Sequence, residues 1–403
     1  MIDKMLTRLE ALYPEMVELR RTLHAEPELS FEEVKTPTMI ADYLEQLGVM
    51  VKRNVGGRGV VGYIQGGKPG KTVALRADFD ALPIQEETGL PFSSNHPGIM
   101  HACGHDGHTA TLLVLAKVLM EYRDQLEGTV VLIHQFAEEL APGGAIEMIK
   151  DGCLDGIDAI YGTHLWSTMP LGQVGYRQGP IMAAADRFEI EVAGRGGHGA
   201  SPHETVDSIA VAASIVTQLQ HIVSRNVDPL KSAVVSVGSF HAGGAFNVIA
   251  DKATIVGTVR TFDPVVQEFI IERMEQVVKG MCEAMGASYS FNYKKGYPAV
   301  INDSKETNYF VQAAREVEDE IELFEMEPVM GGEDFAYYLQ QVPGTFFFTG
   351  AGNEEEGIVY PHHHPKFDFD ERAMLVAAKC LGKAALEFLN RNKKLMQKEE
   401  QPS

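Results

Sequence analysis

The sequence predicts an α/β protein: a mostly parallel sheet with helices on both faces, interrupted once by a smaller α+β domain. Three observations carry this. Short apolar runs at 72–77, 129–135 and 158–162 alternate with helical patterns, as parallel strands joined by crossovers do. Near residue 183 the rhythm changes to half-exposed strands around two long helices. After residue 295 the first rhythm returns. The expected domains are therefore 1–182, an insertion at 183–294, and 295–403, and 403 residues exceed one typical core.

Taken in order, 1–24 reads as one amphipathic helix, with Met5, Leu9, Leu12, Met16, Leu19 and Leu23 at three- and four-residue steps. A second helix is expected from Thr36 as cap, with Pro37 first inside, to Gly48. A Gly-rich hairpin region spans 49–70. The strand 72–77 empties into Asp78-Phe79-Asp80, and 129–135 into Ala137-Glu138-Glu139. A helix follows at 143–150, and the strand 158–162 ends at Thr163-His164. The insertion reads strand 188–192, helix 204–224, strands 234–240 and 253–260, helix 264–285 and strand 288–293. That order, β-α-β-β-α-β, is the ferredoxin-like arrangement. Helix 304–319, strand 345–349 and helix 371–389 complete the chain, and the polar tail 390–403 is expected to fray.

Lys+Arg 35 against Asp+Glu 56 gives a formal charge of −21, which argues against nucleic acid or an anionic membrane as partner. No apolar run approaches the roughly 20 residues that span a bilayer. Four widely spaced Cys form no disulfide framework, and Met1 to Met5 lacks a secretory leader pattern, so a reducing cytoplasm is expected.

The chemistry gathers at 100–109, Met-His-Ala-Cys-Gly-His-Asp-Gly-His-Thr. Cys103 and His105, two apart on a Gly-containing turn, offer the soft and borderline donors that zinc and similar ions prefer. With Glu139, His164 and His363 they make five candidate ligands from separate loops of one sheet, at the strand ends where open α/β sheets bind ligands. Each alone has an ordinary reading: a core Cys, a satisfied core His, a solvated Glu pair, a surface His. Together they suit two ions, if one ligand bridges; Cys103 is the one thiol among them.

These stretches, with Gly162 to Trp166, Gly197 to His203 and His363 to Asp368, resemble the dinuclear metallo-amidohydrolases. The similarity is to the branch of N-acyl-amino-acid amidohydrolases, hippurate hydrolases and auxin-conjugate hydrolases, which carries Cys where peptidase relatives carry a bridging Asp. It runs from about residue 5 to about 390. The resemblance implies a metallopeptidase-like catalytic domain with an inserted lid and dimerisation domain. It implies Cys103, His105, Glu139, His164 and His363 as ligands of two divalent ions (Zn, Mn, Co or Ni), Glu138 as general base and Asp80 as a residue orienting the site. Peptidase relatives have a His ligand at the position of Asp78, which is therefore expected behind the ligands. Where the family usually reads Gln-Pro-Ala-Glu-Glu-Gly, this chain has Phe136 and Leu140, expected on the pocket wall.

His198, in a Gly-rich loop, is a candidate oxyanion donor; Asn247 and Arg260 are candidates to hold a substrate carboxylate. The expected activity is hydrolysis of N-acyl amino acids, with a dipeptidase or carboxypeptidase as the alternative and a homodimer or homotetramer through the lid as the assembly.

Overall fold

In chain order the protein opens with α1 (Ile2–Ala11), α2 (Tyr13–Ala25) and α3 (Lys35–Gln46). Then come β1 (Met50–Val55), β2 (Gly59–Gln65), β3 (Lys68–Asp78), α4 (His105–Glu121), β4 (Glu127–Gln135), α5 (Gly144–Lys150), β5 (Ala159–Pro170), β6 (Gln173–Tyr176) and β7 (Gly179–Met182). The insertion adds β8 (Ala184–Ala193), β9 (Gly197–His198), α6 (Ser208–His221), β10 (Ala233–Ala242), β11 (Val248–Ile249), β12 (Lys252–Thr261), α7 (Pro264–Met285) and β13 (Ser288–Tyr297). The chain closes with β14 (Val300–Asn302), α8 (Ser304–Ala314), β15 (Glu322–Glu325), α9 (Phe335–Leu339), β16 (Gly344–Gly352) and α10 (Arg372–Glu399). These elements come from a computed structural model that describes residues 1–317 and 321–399.

Two units result: Met1–Ile181 with Ile301–Glu327 and Asp334–Ser403, and Met182–Val300 with Pro328–Glu333. In the first unit an eight-stranded sheet runs β1-β2-β4-β3-β5-β16-β6-β15. Its four central strands are parallel. Antiparallel pairings bring in the β1–β2 hairpin on one side and β6 on the other. Helix α4 is buried along almost its whole length, which explains why its sequence is apolar all round rather than striped. A fully buried Leu or Val there contributes about 1.5–3 kcal/mol.

The second unit has the sheet order β10-β12-β8-β13, all antiparallel. Phe188, Ile190 and Ile255 of the sheet share one apolar core with Val211, Ile215 and Leu219 of α6 and Ile270, Met274 and Val278 of α7. The unit is larger than the expected 183–294. Strand β13 runs four residues past Tyr293, and the Ala183 N–H is shared by the carbonyls of Val329 and Gly331, which adds 328–333.

Other boundaries moved for physical reasons. The single helix expected at 1–24 is two, because Pro14 has no N–H to donate and sits in the first turn of α2. Helix α3 starts at Lys35, and its cap is not Thr36. The Glu28 carboxylate accepts the N–H groups of Val34, Lys35 and Thr36 at 3.0, 3.0 and 2.8 Å. Helix α6 is shorter than 204–224, since Asp207 caps it through the N–H groups of Ile209 and Ala210. Helix α8 ends at Ala314, and residues 318–319 of the expected 304–319 lie outside the described residues. Helix α10 continues to Glu399 where a frayed tail was expected from 390; 400–403 lie outside the described residues.

Candidate metal centre

The centre begins where β3 ends. Asp78 is wholly buried: Oδ2 takes Arg76 Nη1 at 2.7 Å and Oδ1 takes His108 Nδ1 at 2.6 Å. His108 Nε2 in turn accepts the Leu165 N–H at 2.9 Å. Burial alone would favour a neutral Asp78, but the Arg76 guanidinium and then His105 hold it well below the usual carboxylate range. Asp78 and His108 tie α4 to β3 and β5, and Asp78 Oδ2 also lies 3.7 Å from His105 Nε2, so these two residues stand directly behind that imidazole.

Two residues on, Asp80 does the orienting. Its Oδ1 lies 3.1 Å from His105 Nδ1, and Oδ2 accepts from Ser30 Oγ at 2.6 Å and from the Glu139 backbone N–H at 2.9 Å. His105 Nδ1 also meets the Asp80 carbonyl at 3.0 Å. With Nδ1 carrying the proton, Nε2 presents its lone pair inward. It is buried and has no hydrogen-bond partner among the described residues. A carboxylate–histidine pair of this kind fixes the tautomer of a metal-binding imidazole.

Cys103 precedes the left-handed Gly104 (φ 88°) and is buried. His164 Nδ1 donates to the Leu165 carbonyl at 2.8 Å, so its Nε2 turns to the centre and accepts the Cys103 thiol at 3.5 Å. The donor atoms of Cys103, His105 and Glu139 lie within 4.8 Å of one another, and so do those of Cys103, His164 and His362. Cys103 belongs to both groups.

Glu138 and Glu139 have different neighbours: a Glu138 oxygen groups with one of Asp334, a Glu139 oxygen with Cys103 and His105. Just before them, past β4, Ala137 adopts φ 51°, a left-handed conformation costing an L-residue about 1–2 kcal/mol. Glu138 is buried and Glu139 partly exposed. His363, also left-handed (φ 65°), brings Nε2 to 3.2 Å from Glu139 Oε1, and its N–H bonds to the Ala102 carbonyl at 2.8 Å. His362 Nε2 meets the Leu165 carbonyl at 2.9 Å, and its ring lies 4.4 Å from that of Trp166. His364 stacks on Tyr360 instead, 4.5 Å between centroids.

The field at the centre calls for a cation. Burial would lower the His105 pKa, but the carboxylates of Asp78, Asp80 and Glu139 outweigh it and raise it to about 10. Burial, then Glu139 and Glu138, push the Cys103 thiol well up. A thiolate is tolerable there only beside positive charge. The inward Nε2 of His105, which has no hydrogen-bond partner among the described residues, the buried thiol, the His164 imidazole bonded to it and a carboxylate form a donor set that fits divalent transition metals.

Residues 74–387 match the sequence profile of peptidase family M20/M25/M40. The chain belongs to this family. It is 58% identical over 381 residues to the protein named "Putative amidohydrolase YhaA" of Bacillus subtilis (strain 168); the match covers 94% of this chain and 96% of YhaA. It is 51% identical over 288 residues to an N-acyl-L-amino acid amidohydrolase of Geobacillus stearothermophilus, covering 72% of this chain and 78% of that one. The crystal structure of Bacillus subtilis YXEP, described as a dinuclear metal binding peptidase of the M20 family, superposes with TM-score 0.83 at 37% identity, over 94% of this chain and 99% of that one. As an M20 family member the chain is a hydrolase of amide bonds.

Measured against the expectations, the first unit brings Cys103, His105, Glu139, His164 and His363 into one cluster with Asp80 behind them. His164 is not past a strand end. It lies inside β5, which pairs with β3 only to Gly162 but with β16 as far as Trp166 and beyond, so the strand outruns one neighbour and exposes His164 on that side. Phe136 is not pocket wall: it is 2% exposed and meets Phe31 edge-on. Leu140, 55% exposed, stays at the surface beside Glu139. His362 was not singled out; its place in a run of three His gave no sign of which ring would turn inward.

The remaining candidates, His198, Asn247 and Arg260, lie in the second unit. His198 sits on β9 opposite Val248, and its Nδ1 accepts the Ala200 N–H at 3.0 Å, so Nε2 carries the proton and is a donor. The Asn247 carbonyl accepts the Gly199 N–H at 2.8 Å, keeping Asn247 beside His198. Arg260, half-buried on β12, has its pKa lowered by burial, with Asp186 opposing. Among the described residues no helix is long and apolar enough to cross a membrane.

Proposed function

We propose that the chain hydrolyses the amide bond of N-acyl amino acids, releasing a carboxylic acid and a free amino acid, with two divalent ions held by Cys103, His105, Glu139, His164 and His363. The observation that carries this is Cys103 Sγ standing in two donor groups at once, next to the unpaired Nε2 of His105. A divalent pair supplies Lewis acidity to a carbonyl and makes a water more acidic. The donor set accommodates Zn, Mn, Co or Ni.

The protein's own groups do the rest. Glu138, adjacent to a ligand but aimed elsewhere, takes the water's proton and delivers it to the leaving nitrogen as the C–O bond forms and the C–N bond breaks. Asp80 keeps His105 and Glu139 in register. His198 Nε2–H donates to the developing oxyanion, and Asn247 with Arg260 takes the substrate's α-carboxylate. The insertion 183–294 acts as lid and as the contact of a homodimer or homotetramer in the cytoplasm, where four unpaired Cys remain reduced. Substrates are small molecules; nucleic acid and membranes are not partners.

The experiment is a substrate comparison on metal-loaded protein: N-acetyl-, N-benzoyl- and N-succinyl-amino acids beside dipeptides and C-terminally blocked peptides. Preferential turnover of an acyl amino acid supports the reading. Preferential turnover of peptides replaces it with a dipeptidase or carboxypeptidase, whose substrate amine would require an acidic partner in the pocket.

A further inference from the structure

Residues 30–33 lie beneath the Ala137–Glu139 turn, and no step above uses them. Ser30 Oγ reaches Asp80 Oδ2 at 2.6 Å, and the Phe31 ring meets Phe136 at 5.7 Å and 79°. Glu33 is the unusual member. Its side chain is completely buried, its Oε1 accepts the Ala137 N–H at 2.9 Å, and its Oε2 has no hydrogen-bond partner among the described residues. Arg58 Nε is 3.9 Å from that oxygen, too far for a hydrogen bond.

Ala137 is the residue immediately before the two functional carboxylates. Its φ of 51° is unfavourable for a residue with a Cβ, so something must hold it. Its carbonyl accepts the Gly144 N–H at 3.1 Å, and Glu33 holds the other end. Glu139 has a second tether, its own N–H on Asp80. The Ala137 peptide is thus held at both ends just before Glu138, its N–H by Glu33 and its carbonyl by Gly144. We infer that Glu33 is a positioning residue: by accepting the Ala137 N–H it keeps that peptide left-handed, and so aims Glu138 at the reacting water while Glu139 stays on the metal. This rests on the roles proposed above for the two carboxylates. Burial, with the neighbouring Asp80 charge, raises the Glu33 carboxyl to about 8, so a neutral acceptor is what the site uses near neutral pH.

The test uses the full-length, metal-loaded enzyme as Glu33→Gln, Glu33→Ala and Glu33→Ala/Ala137→Gly. Glu33→Gln offers the same neutral acceptor and should keep kcat within about 3-fold. Glu33→Ala should keep its metal content and KM but lose kcat by about 10–10²-fold, the scale of an ångström-level misplacement. Adding Ala137→Gly should recover much of the loss, because Gly takes a positive φ without the Cβ penalty; a general packing defect would not be rescued this way. Crystal structures of the Gln and Ala variants give a readout independent of activity. Ala137 should remain left-handed in the first and leave that region in the second. If the wild type fails on N-acyl amino acids the functional reading fails, while the crystal comparison still decides the role of Glu33. Full kcat in Glu33→Ala, equal loss in both single variants, or an unchanged Ala137 φ would overturn the inference. Should Glu33→Ala not fold, loss of activity in a folded Glu33→Gln overturns it and retention supports it.

Discussion

The Asp80 carboxylate accepts the backbone N–H of Glu139 at 2.9 Å. Its other oxygen faces His105 Nδ1 at 3.1 Å, so one buried side chain sets two of the proposed ligands against each other. Asp80→Ala should weaken metal binding about 10–100-fold, the usual cost of losing a partner behind a ligand. Asp80→Asn, which keeps one acceptor oxygen, should fall between. Chelator competition measures both, and wild-type affinity in Asp80→Ala would remove Asp80 from the design.

Cys103 should be the ligand whose loss is felt twice. Dialysed wild-type protein is expected to approach two metal equivalents, and Cys103→Ala to lose occupancy at both sites. Full metal content in Cys103→Ala would show that the thiol bridges nothing.

How much of this was legible in the residues depends on the range of the forces involved. The parallel core strands and the ferredoxin-like insertion follow from local apolar runs and periodicity, and helix 264–285 was placed to the residue because Pro264 opens it and Gly286 (φ 74°) closes it. The candidates Cys103, His105, Glu139 and His164 were legible as local motifs, although Cys103 and His105 stand at the start of α4 and only Glu139 just past a strand end. What was not legible is long-range. Nothing near Thr36 announces that Glu28 will cap α3, and nothing near Ala137 announces Glu33. His164 was expected beyond its strand because strand length is set by the neighbour β16, not by the run 158–162 itself.

His134 makes a pH prediction. It is fully buried on β4, neither ring nitrogen has a partner among the described residues, and burial lowers its pKa to about 3. The unfolded chain, with a pKa near 6.5, therefore binds this proton more readily than the folded one. The neutral His134 contributes stability that is fully present above about pH 6.5 and is lost as pH falls towards 3. Replacing it by Leu should remove that loss. Relative to wild type, the variant should gain about 2 kcal/mol between roughly pH 8 and pH 5 in urea unfolding. An unchanged difference at the two pH values would mean that His134 finds a partner when folded.

The lid reading predicts complementation. If His198 of one subunit serves the partner's centre, His198→Ala and Glu138→Ala, each inactive alone, should regain part of the activity when mixed and allowed to exchange chains. A fully active monomer in sedimentation rules out service between subunits.

The most direct measurement of the account is metal content beside kcat for Glu138→Gln and Glu139→Gln. Glu138 as unbound base and Glu139 as ligand predict opposite failures from adjacent residues. Glu138→Gln should keep both ions, still bind substrate, and lose roughly 10²–10⁴-fold in kcat. Glu139→Gln should lose an ion and recover part of its activity in excess metal. If Glu138→Gln is the metal-poor variant and Glu139→Gln the metal-replete one, the two roles are reversed and the proposed mechanism is wrong.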